Sequence, residues 1–345
     1  MGQAIVNDVN FLAARLHARR SRLAEGERLG TLCRLTDFES FSRAVYPDVE
    51  FDSVTDFQRR AVHDLVRELS SFLKHVEGAG ADLVKWLLMA FQVENVKVLM
   101  RTRQRTPLEM PEEYLISLPR DLALDVPSLL NAGTLEEFAD RLPAEVLRRS
   151  LKWALAMYRD RLQRPFLLEA ALDHGYLQEL LDRTERLSTE DKELVQPIMV
   201  QEVDAFHLML AVRGRFHYDL SPQLLSPLHL RRSRISRDRF VAMLKSSDIR
   251  SAATLAAGLV FDGSPAAAID GPLLEALAWR RYLRLSNSAF RRSHMGLAAV
   301  IGYVGIRRGE VANLITLSEA MSRAGAIDAV RTRFAQPKDS ESVYV

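Results

Sequence analysis

The sequence contains one short phrase three times at nearly equal spacing: QVENVKVLMR at residues 92–101, EVDAFHLML at 202–210 and EVANLITL at 310–317. Aligned on their valines, Val93, Val203 and Val311, the copies lie 110 and 108 residues apart. A near-constant period across 345 residues indicates one structural unit used three times. The repeat favours a component of an assembly over an enzyme.

The apolar residues of each copy fall at helical spacing, which suits one buried helix face. Asn95 and Asn313 occupy the same place in the first and third copies, whereas Ala205 fills it in the second. Asparagine favours neither a helix interior nor a dry core, so we expect both side chains to make satisfied hydrogen bonds. These residues are predicted to hold neighbouring elements together and not to contact a ligand.

Helical periodicity runs through most of the chain, and alternating strand patterns joined by tight turns are not evident. It predicts long helices at about 10–24, 54–76, 80–105, 144–162, 165–187, 189–214, 271–292 and 294–323. Gly302, Gly305 and Gly309 share one side of the last helix and would permit close approach of a neighbouring helix. The sequence therefore predicts an all-α fold.

Shorter similarities extend the repeat beyond the phrase. DFESF at 37–41 and LEEF at 135–138 precede the first two copies, and FVAML at 240–244 precedes the third. Each unit would contain a short helical segment, a pair of longer helices and the helix that carries the phrase. The predicted units are residues 1–125, 126–235 and 236–345, joined in one structural body.

The composition is that of an ordinary soluble globular protein, with 48% apolar and 27% charged residues. The net charge of +2 argues against a general nucleic-acid-binding protein. Cys33 is the single cysteine, so an intramolecular disulfide and a cysteine metal cluster are excluded, and we expect an inert thiol. No secretion signal is evident, and the longest apolar run, at 296–306, is too short to span a membrane.

Known catalytic and ligand-binding motifs are missing from the sequence. The eight histidines are scattered without metal-ligand spacing, and there is neither a nucleotide-binding P-loop nor a serine-hydrolase elbow. We therefore predict no catalytic, metal or cofactor-binding residues.

The most charged stretch is RRSRISRDR at 231–239, whose arginines could attract phosphates or anionic headgroups, or form a solvated loop or salt bridges between subunits. Arg231, Arg232, Arg234 and Arg237 are the candidate partner contacts.

Three features together suggest a family. FLAARLHARRSRL at 11–23 is similar to a YxxARxRxxRSxLL-like N-terminal helix, and the phrases, with Arg101 and Arg103 after the first, look like a repeated DVxNLKxLLRAK signature. Gly302-Tyr303 before the third copy is similar to the closing segment of the same family. In order and length, the chain resembles the C subunit of the A/V-type rotary ATPases (ATP synthases), which is called the d subunit in eukaryotic vacuolar enzymes. It departs from the family pattern at Ala205 and at residues 317–319.

The resemblance implies a funnel of three similar helical units about a pseudo-threefold axis. It implies a non-catalytic rotor component that takes no cofactor and transmits torque for ATP-coupled proton or sodium transport. The implied partners are the D and F subunits of the central stalk and the membrane proteolipid ring of c/K subunits. The implied location is cytoplasmic, peripheral to the membrane.

Two alternatives remain open on the residues alone. The first is a helical-repeat adaptor or scaffold unrelated to rotary ATPases. The second is an enzyme whose site lies outside recognised motifs, for which clustered perturbed carboxylates or histidines in one closed pocket would be needed. A cavity surrounded by copies related by about 120° would favour the rotor interpretation.

Overall fold

The computed structural model describes residues 9–103, 114–158, 165–263 and 269–322. Within these ranges the chain is helical, and its β-structure is limited to one bridge between Ala257 and Phe261. The predicted all-α fold is confirmed. No helix in the described ranges is both long and apolar enough to cross a bilayer.

Groups of short helices precede pairs of long helices in the described chain. Those up to the first phrase are α1 (Val9–Arg20), α2 (Gly26–Leu32), α3 (Phe38–Val45), α4 (Val54–Phe72) and α5 (Gly78–Thr102). Those up to the second phrase are α6 (Val126–Leu130), α7 (Leu135–Asp140), α8 (Glu145–Met157), α9 (Pro165–Thr184) and α10 (Thr189–Met209). The remainder are α11 (Pro222–Leu225), α12 (Arg237–Lys245), α13 (Ile249–Ala256), α14 (Gly271–Ser293) and α15 (Leu297–Ser322).

Polar side chains cap the first turn of three long helices, α4, α10 and α14. The Ser53 hydroxyl accepts a hydrogen bond from the Asp56 amide at the start of α4, and Ser188 does the same at the start of α10. The Asp270 carboxylate accepts from the Leu273 amide at the start of α14. Each cap satisfies one of the amides that the first turn of a helix leaves unpaired.

The predicted long helices match the observed ones, with small differences at their ends. Residues 159–162 of the predicted helix 144–162 lie outside the described residues. The helix predicted at 189–214 is regular to Met209 and continues as a π-helix over Leu210–His217. Such wider turns are not encoded in apolar periodicity, which is why the sequence did not reveal this one.

Six long helices form a closed ring. Helix α4 packs on α5, α5 on α9, α9 on α10, α10 on α14, α14 on α15, and α15 back on α4. The ring thus contains three hairpins, α4/α5, α9/α10 and α14/α15, and the second helix of each carries a copy of the phrase. Helix α8 packs outside the ring on α9, and α1 packs on α15.

The three hairpin turns lie at the same end of the ring. A Cβ placed on Gly80, near the start of α5, would lie 3.1 Å from the Leu297 side chain at the start of α15. Arg183, near the end of α9, donates to the Asp82 carbonyl at 3.4 Å. We call this end of the molecule the turn end and the opposite end the phrase end.

The glycines of α15 allow its close approach to α14, as predicted. A Cβ on Gly302 would lie 2.6 Å from the Ser286 carbonyl oxygen and 2.7 Å from the Phe290 amide nitrogen. Gly305 and Gly309 meet side chains of the same helix at similarly short range. Helices α14 and α15 make the most extensive helix contact among the described elements, because these three positions of α15 carry no side chain of their own.

The apolar core is continuous through the ring, from α1 to α15. A second, smaller cluster lies where α2 and α3 pack against the end of α15, and it includes Phe41, Phe57 and the buried Cys33. Continuity of the core joins the three predicted units into one body, while the boundaries at 125/126 and 235/236 stay predictions.

Candidate functional site

The phrase valines are core residues. Val93, Val203 and Val311 are buried in α5, α10 and α15. Asn95 is also buried, and both atoms of its amide group are used: Nδ2 donates to the Ile116 carbonyl and Oδ1 accepts from the Ile116 amide, each at 2.8 Å. The hydrogen bonds expected of Asn95 are therefore present, although their partner is the segment after α5 and not a neighbouring helix. Asn313 is buried at the matching place in α15.

Other polar residues of the phrases also hold backbone segments. Gln92 donates to the Leu122 carbonyl at 2.6 Å, and Gln201 donates to the Val260 carbonyl at 2.8 Å. Glu310 accepts from the Ala24 amide at 2.6 Å. Since buried backbone groups need partners, each phrase helix fixes a connecting segment in place. These roles were not predicted, although the polar residues stand inside or beside the phrase.

The arginine-rich stretch is attached to α10 by the Asp204 carboxylate, which is fully buried. The Arg234 amide and Nε donate to it at 2.9 and 2.7 Å, and Arg234 Nη2 donates to the Gln201 side chain at 2.8 Å. Arg232 forms an ion pair with Asp182 on α9. Both arginines therefore have partners within the chain.

Arg231 and Arg237 differ from these two. Both are exposed, and neither makes a hydrogen bond or ion pair with another described residue. Of the four arginines predicted to contact a partner, these two have side-chain charges without an ion-pair partner among the described residues.

His207, Ser233 and Asp204 lie together like a hydrolase triad, but their hydrogen bonds run the wrong way. The Leu230 amide donates to His207 Nε2 at 3.0 Å, so the neutral ring carries its proton on Nδ1 and donates to Ser233 Oγ, 3.0 Å away. The serine in turn donates to Asp204 at 2.6 Å. A catalytic histidine would have to accept the serine proton. Burial lowers the pKa of His207 well below its ordinary value, and the group serves as a neutral anchor for residues 230–235.

A cavity of about 270 Å³ lies inside the ring. Its walls come from α5, α9, α10, α14 and α15, so all three hairpins contribute. The phrase helices supply Glu94, Glu202 and Ala205, the residue that departs from the family pattern. The cavity reaches solvent beside Glu94 and Glu275, whose side chains are 54% and 43% exposed.

Ion pairs lie in and beside the cavity wall. The Lys97 ammonium lies 2.6 Å from Asp173 and 2.8 Å from Glu94, and Arg308 lies 2.6 Å from Glu202. Burial raises the pKa of the Asp173 carboxyl to about 6, although the Lys97 charge acts in the opposite direction. The remaining wall is largely apolar and includes the aromatic side chains of Phe206, Trp279 and Tyr282. Such a lining offers binding contacts for a protein segment with mixed apolar and charged groups.

The sequence did not identify these cavity residues as a set. Glu94 and Glu202 stand next to phrase valines, which is the signal that could have pointed to them. Asp173 and Arg308 belong to no motif, and only the packing of the ring brings them together. No group of three or more potential metal-ligating side chains with suitable geometry occurs in the part of the chain that the structure describes.

Comparison with known proteins agrees with the resemblance. The family described as ATP synthase (C/AC39) subunit matches residues 12–331. The chain is 23% identical over 342 residues to the C subunit of the A-type ATP synthase of Methanobrevibacter smithii, covering 91% of this chain and 84% of that protein. All three phrases fall within the family match, so the adaptor and enzyme alternatives are not favoured. The chain belongs to the ATP synthase (C/AC39) subunit family, and it is a non-catalytic component of a rotary ATPase.

Proposed function

We propose that this protein joins the central stalk of a rotary ATPase to its membrane proteolipid ring and transmits torque between them. The observation that carries the proposal is the cavity inside the ring of six helices, which is walled by all three hairpins and reaches solvent. Side chains at the end of a shaft that enter this cavity would contact all three hairpins, which would oppose rotation of one part relative to the other.

The three hairpins support a pseudo-threefold arrangement of units 1–125, 126–235 and 236–345. Each hairpin contributes its second helix with a phrase, and the hairpins follow one another around the ring. A ring that closes after three units also differs from an open helical-repeat scaffold, in which the first and last units are far apart.

Torque transmission requires a stiff body, and three features supply stiffness. The core is continuous, α14 and α15 approach at backbone distance, and buried polar side chains fix the connecting segments. Closely packed protein interiors resist deformation, so a force applied at the cavity would reach the outer surface without being lost in bending.

The stalk partners in this proposal are the D and F subunits, and the ring partner is the proteolipid ring of c/K subunits. The protein would lie on the cytoplasmic face, peripheral to the membrane, and serve proton or sodium transport. Arg231 and Arg237 are the proposed contacts among the four arginines, since Arg232 and Arg234 already have partners within the chain.

Site-directed photo-crosslinking in the assembled complex tests the proposal. A benzophenone maleimide would be attached to Ala205→Cys in the cavity, in a Cys33→Ala background. Met157→Cys on the outer face of α8, where Met157 is 50% exposed, is the matched control. We expect the cavity probe to crosslink to the D or F stalk protein and the outer probe to crosslink to neither. The proposal fails if the tagged protein purifies from solubilised membranes without stalk proteins, or if only the outer probe reaches them.

A further inference from the structure

The cavity contains a buried polar atom without a partner. Tyr176 on α9 lines the cavity and is 6% exposed, and its Oη makes no hydrogen bond with any described residue. The phenol ring of Tyr176 is held in place by Trp86: the two side-chain rings stack with their centroids 5.9 Å apart, and Trp86 Nε1 donates to the Tyr176 carbonyl at 3.0 Å. A buried hydroxyl in this state costs free energy unless a bound group supplies its hydrogen bond.

The charges beside Tyr176 do not balance. Asp173, one helical turn away on α9, shares the single Lys97 ammonium with Glu94, while Glu202 has Arg308 to itself. Two carboxylates on one ammonium leave an excess negative charge at this wall of the cavity. Burial is the main cause of the raised pKa of Asp173, and the neighbouring negative charge of Glu94 acts in the same direction.

We propose that the cavity is a site for one cationic side chain, a lysine or arginine at the end of the stalk, placed between Asp173 and Tyr176. The inference rests on the proposed function and names the chemistry of the partner at this site. The cation would balance the charge shared by Asp173 and Glu94, and one of its N–H groups would donate to Tyr176 Oη.

The remainder of the cavity suits the stem of such a side chain. Phe206, Met209 and Trp279 form an apolar wall, against which the methylene stem of a lysine or arginine can pack while its charged end reaches the carboxylate. Lys97 and Arg308 are already paired with carboxylates, so the excess negative charge favours an added cation over an added anion.

Calorimetric titration of the purified full-length chain with the purified D–F pair from the same organism tests the inference. We expect Tyr176→Phe to weaken binding about tenfold, the usual effect of losing a hydrogen bond to a charged group. The same variant should leave the free energy of unfolding of the isolated chain unchanged or raise it, because the hydroxyl has no partner there. A purely structural role for Tyr176 would not separate these two readouts.

A second variant tests the charge. Asp173→Asn should also weaken binding about tenfold and make the affinity less dependent on salt, because one ion pair is lost. Asp182→Asn is the matched control: it removes the same charge from the same helix, but Asp182 pairs with Arg232 and does not line the cavity. We expect its affinity and salt dependence to equal those of the wild type.

The outcomes separate the two proposals. If the wild-type chain does not bind the D–F pair, the proposed function fails together with this inference. If the wild type binds and both Tyr176→Phe and Asp173→Asn bind with wild-type affinity, the cationic site is refuted while the stalk contact stands. Should Asp173→Asn fail to fold, wild-type affinity of Tyr176→Phe alone refutes the site.

Discussion

Replacing Gly302 by alanine should destabilise the protein strongly, because the new methyl group would meet backbone atoms of α14. The built Cβ lies 2.6 Å from the Ser286 carbonyl oxygen and 2.7 Å from the Phe290 amide nitrogen. Real Cβ contacts are essentially never shorter than 3.0 Å, so the two helices must separate locally by about 0.4 Å or more. Helix backbones cannot rotate out of the way as a side chain can.

The size of the effect follows from the contact that is lost. A gap of 0.5–1 Å removes roughly a quarter to a half of the dispersion attraction of each atom pair along the contact. Inserting a methyl group into a well-packed core typically costs about 1–3 kcal/mol. Because the obstacle is main chain and this is the most extensive helix contact described, we expect about 3 kcal/mol.

Gly305→Ala provides the comparison, since its nearest obstacle is a side chain. The built Cβ would overlap the Ser286 hydroxyl, which hydrogen-bonds to the Tyr282 carbonyl at 2.9 Å. Removing that hydroxyl with Ser286→Ala should recover about 1 kcal/mol of the loss at Gly305, and the retained Ser286 Cβ, 2.8 Å from the built Cβ, accounts for the rest. It should recover nothing at Gly302, whose obstacles are backbone atoms.

Urea unfolding followed by circular dichroism measures the stability of the single variants and of the two double variants, in which Ser286→Ala is combined with Gly302→Ala or with Gly305→Ala. Wild-type stability of Gly302→Ala would refute the argument. Equal rescue of the two glycine variants by Ser286→Ala would also refute it, because the backbone and side-chain obstacles would then be equivalent.

Three further predictions concern the buried polar groups. Asn95→Ala should lower the free energy of unfolding by about 2 kcal/mol, because it leaves both backbone groups of Ile116 without their partner. Asp204→Ala should cost about 3 kcal/mol, the usual effect of breaking a buried ion pair. Acidification from about pH 6.5 to pH 4 should reduce stability: burial lowers the pKa of His174 to about 4 and that of His207 further, so the unfolded chain binds protons that the folded chain excludes.

Each of these has its own control in equilibrium unfolding. Asn131→Ala, at an exposed position, should change stability by less than about 0.5 kcal/mol. Glu39→Ala breaks the exposed pair with Arg43 and should cost less than about 1 kcal/mol. Because the pKa of Asp173 is raised to about 6, protonation of its carboxyl below that pH stabilises the folded chain and offsets part of the histidine effect. Stability that stays constant or rises between pH 6.5 and 4, or a His174→Gln variant with unchanged pH dependence, would contradict the histidine argument.

Much of the fold could be predicted because it rests on local rules. Apolar periodicity located the long helices, and the glycines of α15 indicated its close approach to a neighbour. The phrase identified the family because its valines are core residues and its asparagines are anchoring residues. Packing constrains which residue types can stand at such positions. The π-helix after α10 and the backbone partner of Asn95 could not be predicted, because both depend on contacts with segments distant in sequence.

The candidate site was much less predictable. Of the four arginines selected for their local charge density, two prove to be paired within the chain. The cavity residues Asp173, Tyr176 and Arg308 carried no motif, since each is a single polar residue in a largely buried helix.

By itself the sequence determined the helical class, the threefold recurrence of the phrase and the family, because these follow from the order and spacing of residue types along the chain. Only the tertiary structure decided which charges are satisfied and which face the cavity. The physical reason is that electrostatic pairing depends on distance in space. Lys97 meets Asp173, and Arg308 meets Glu202, across 76 and 106 residues of chain that only the closed ring brings together.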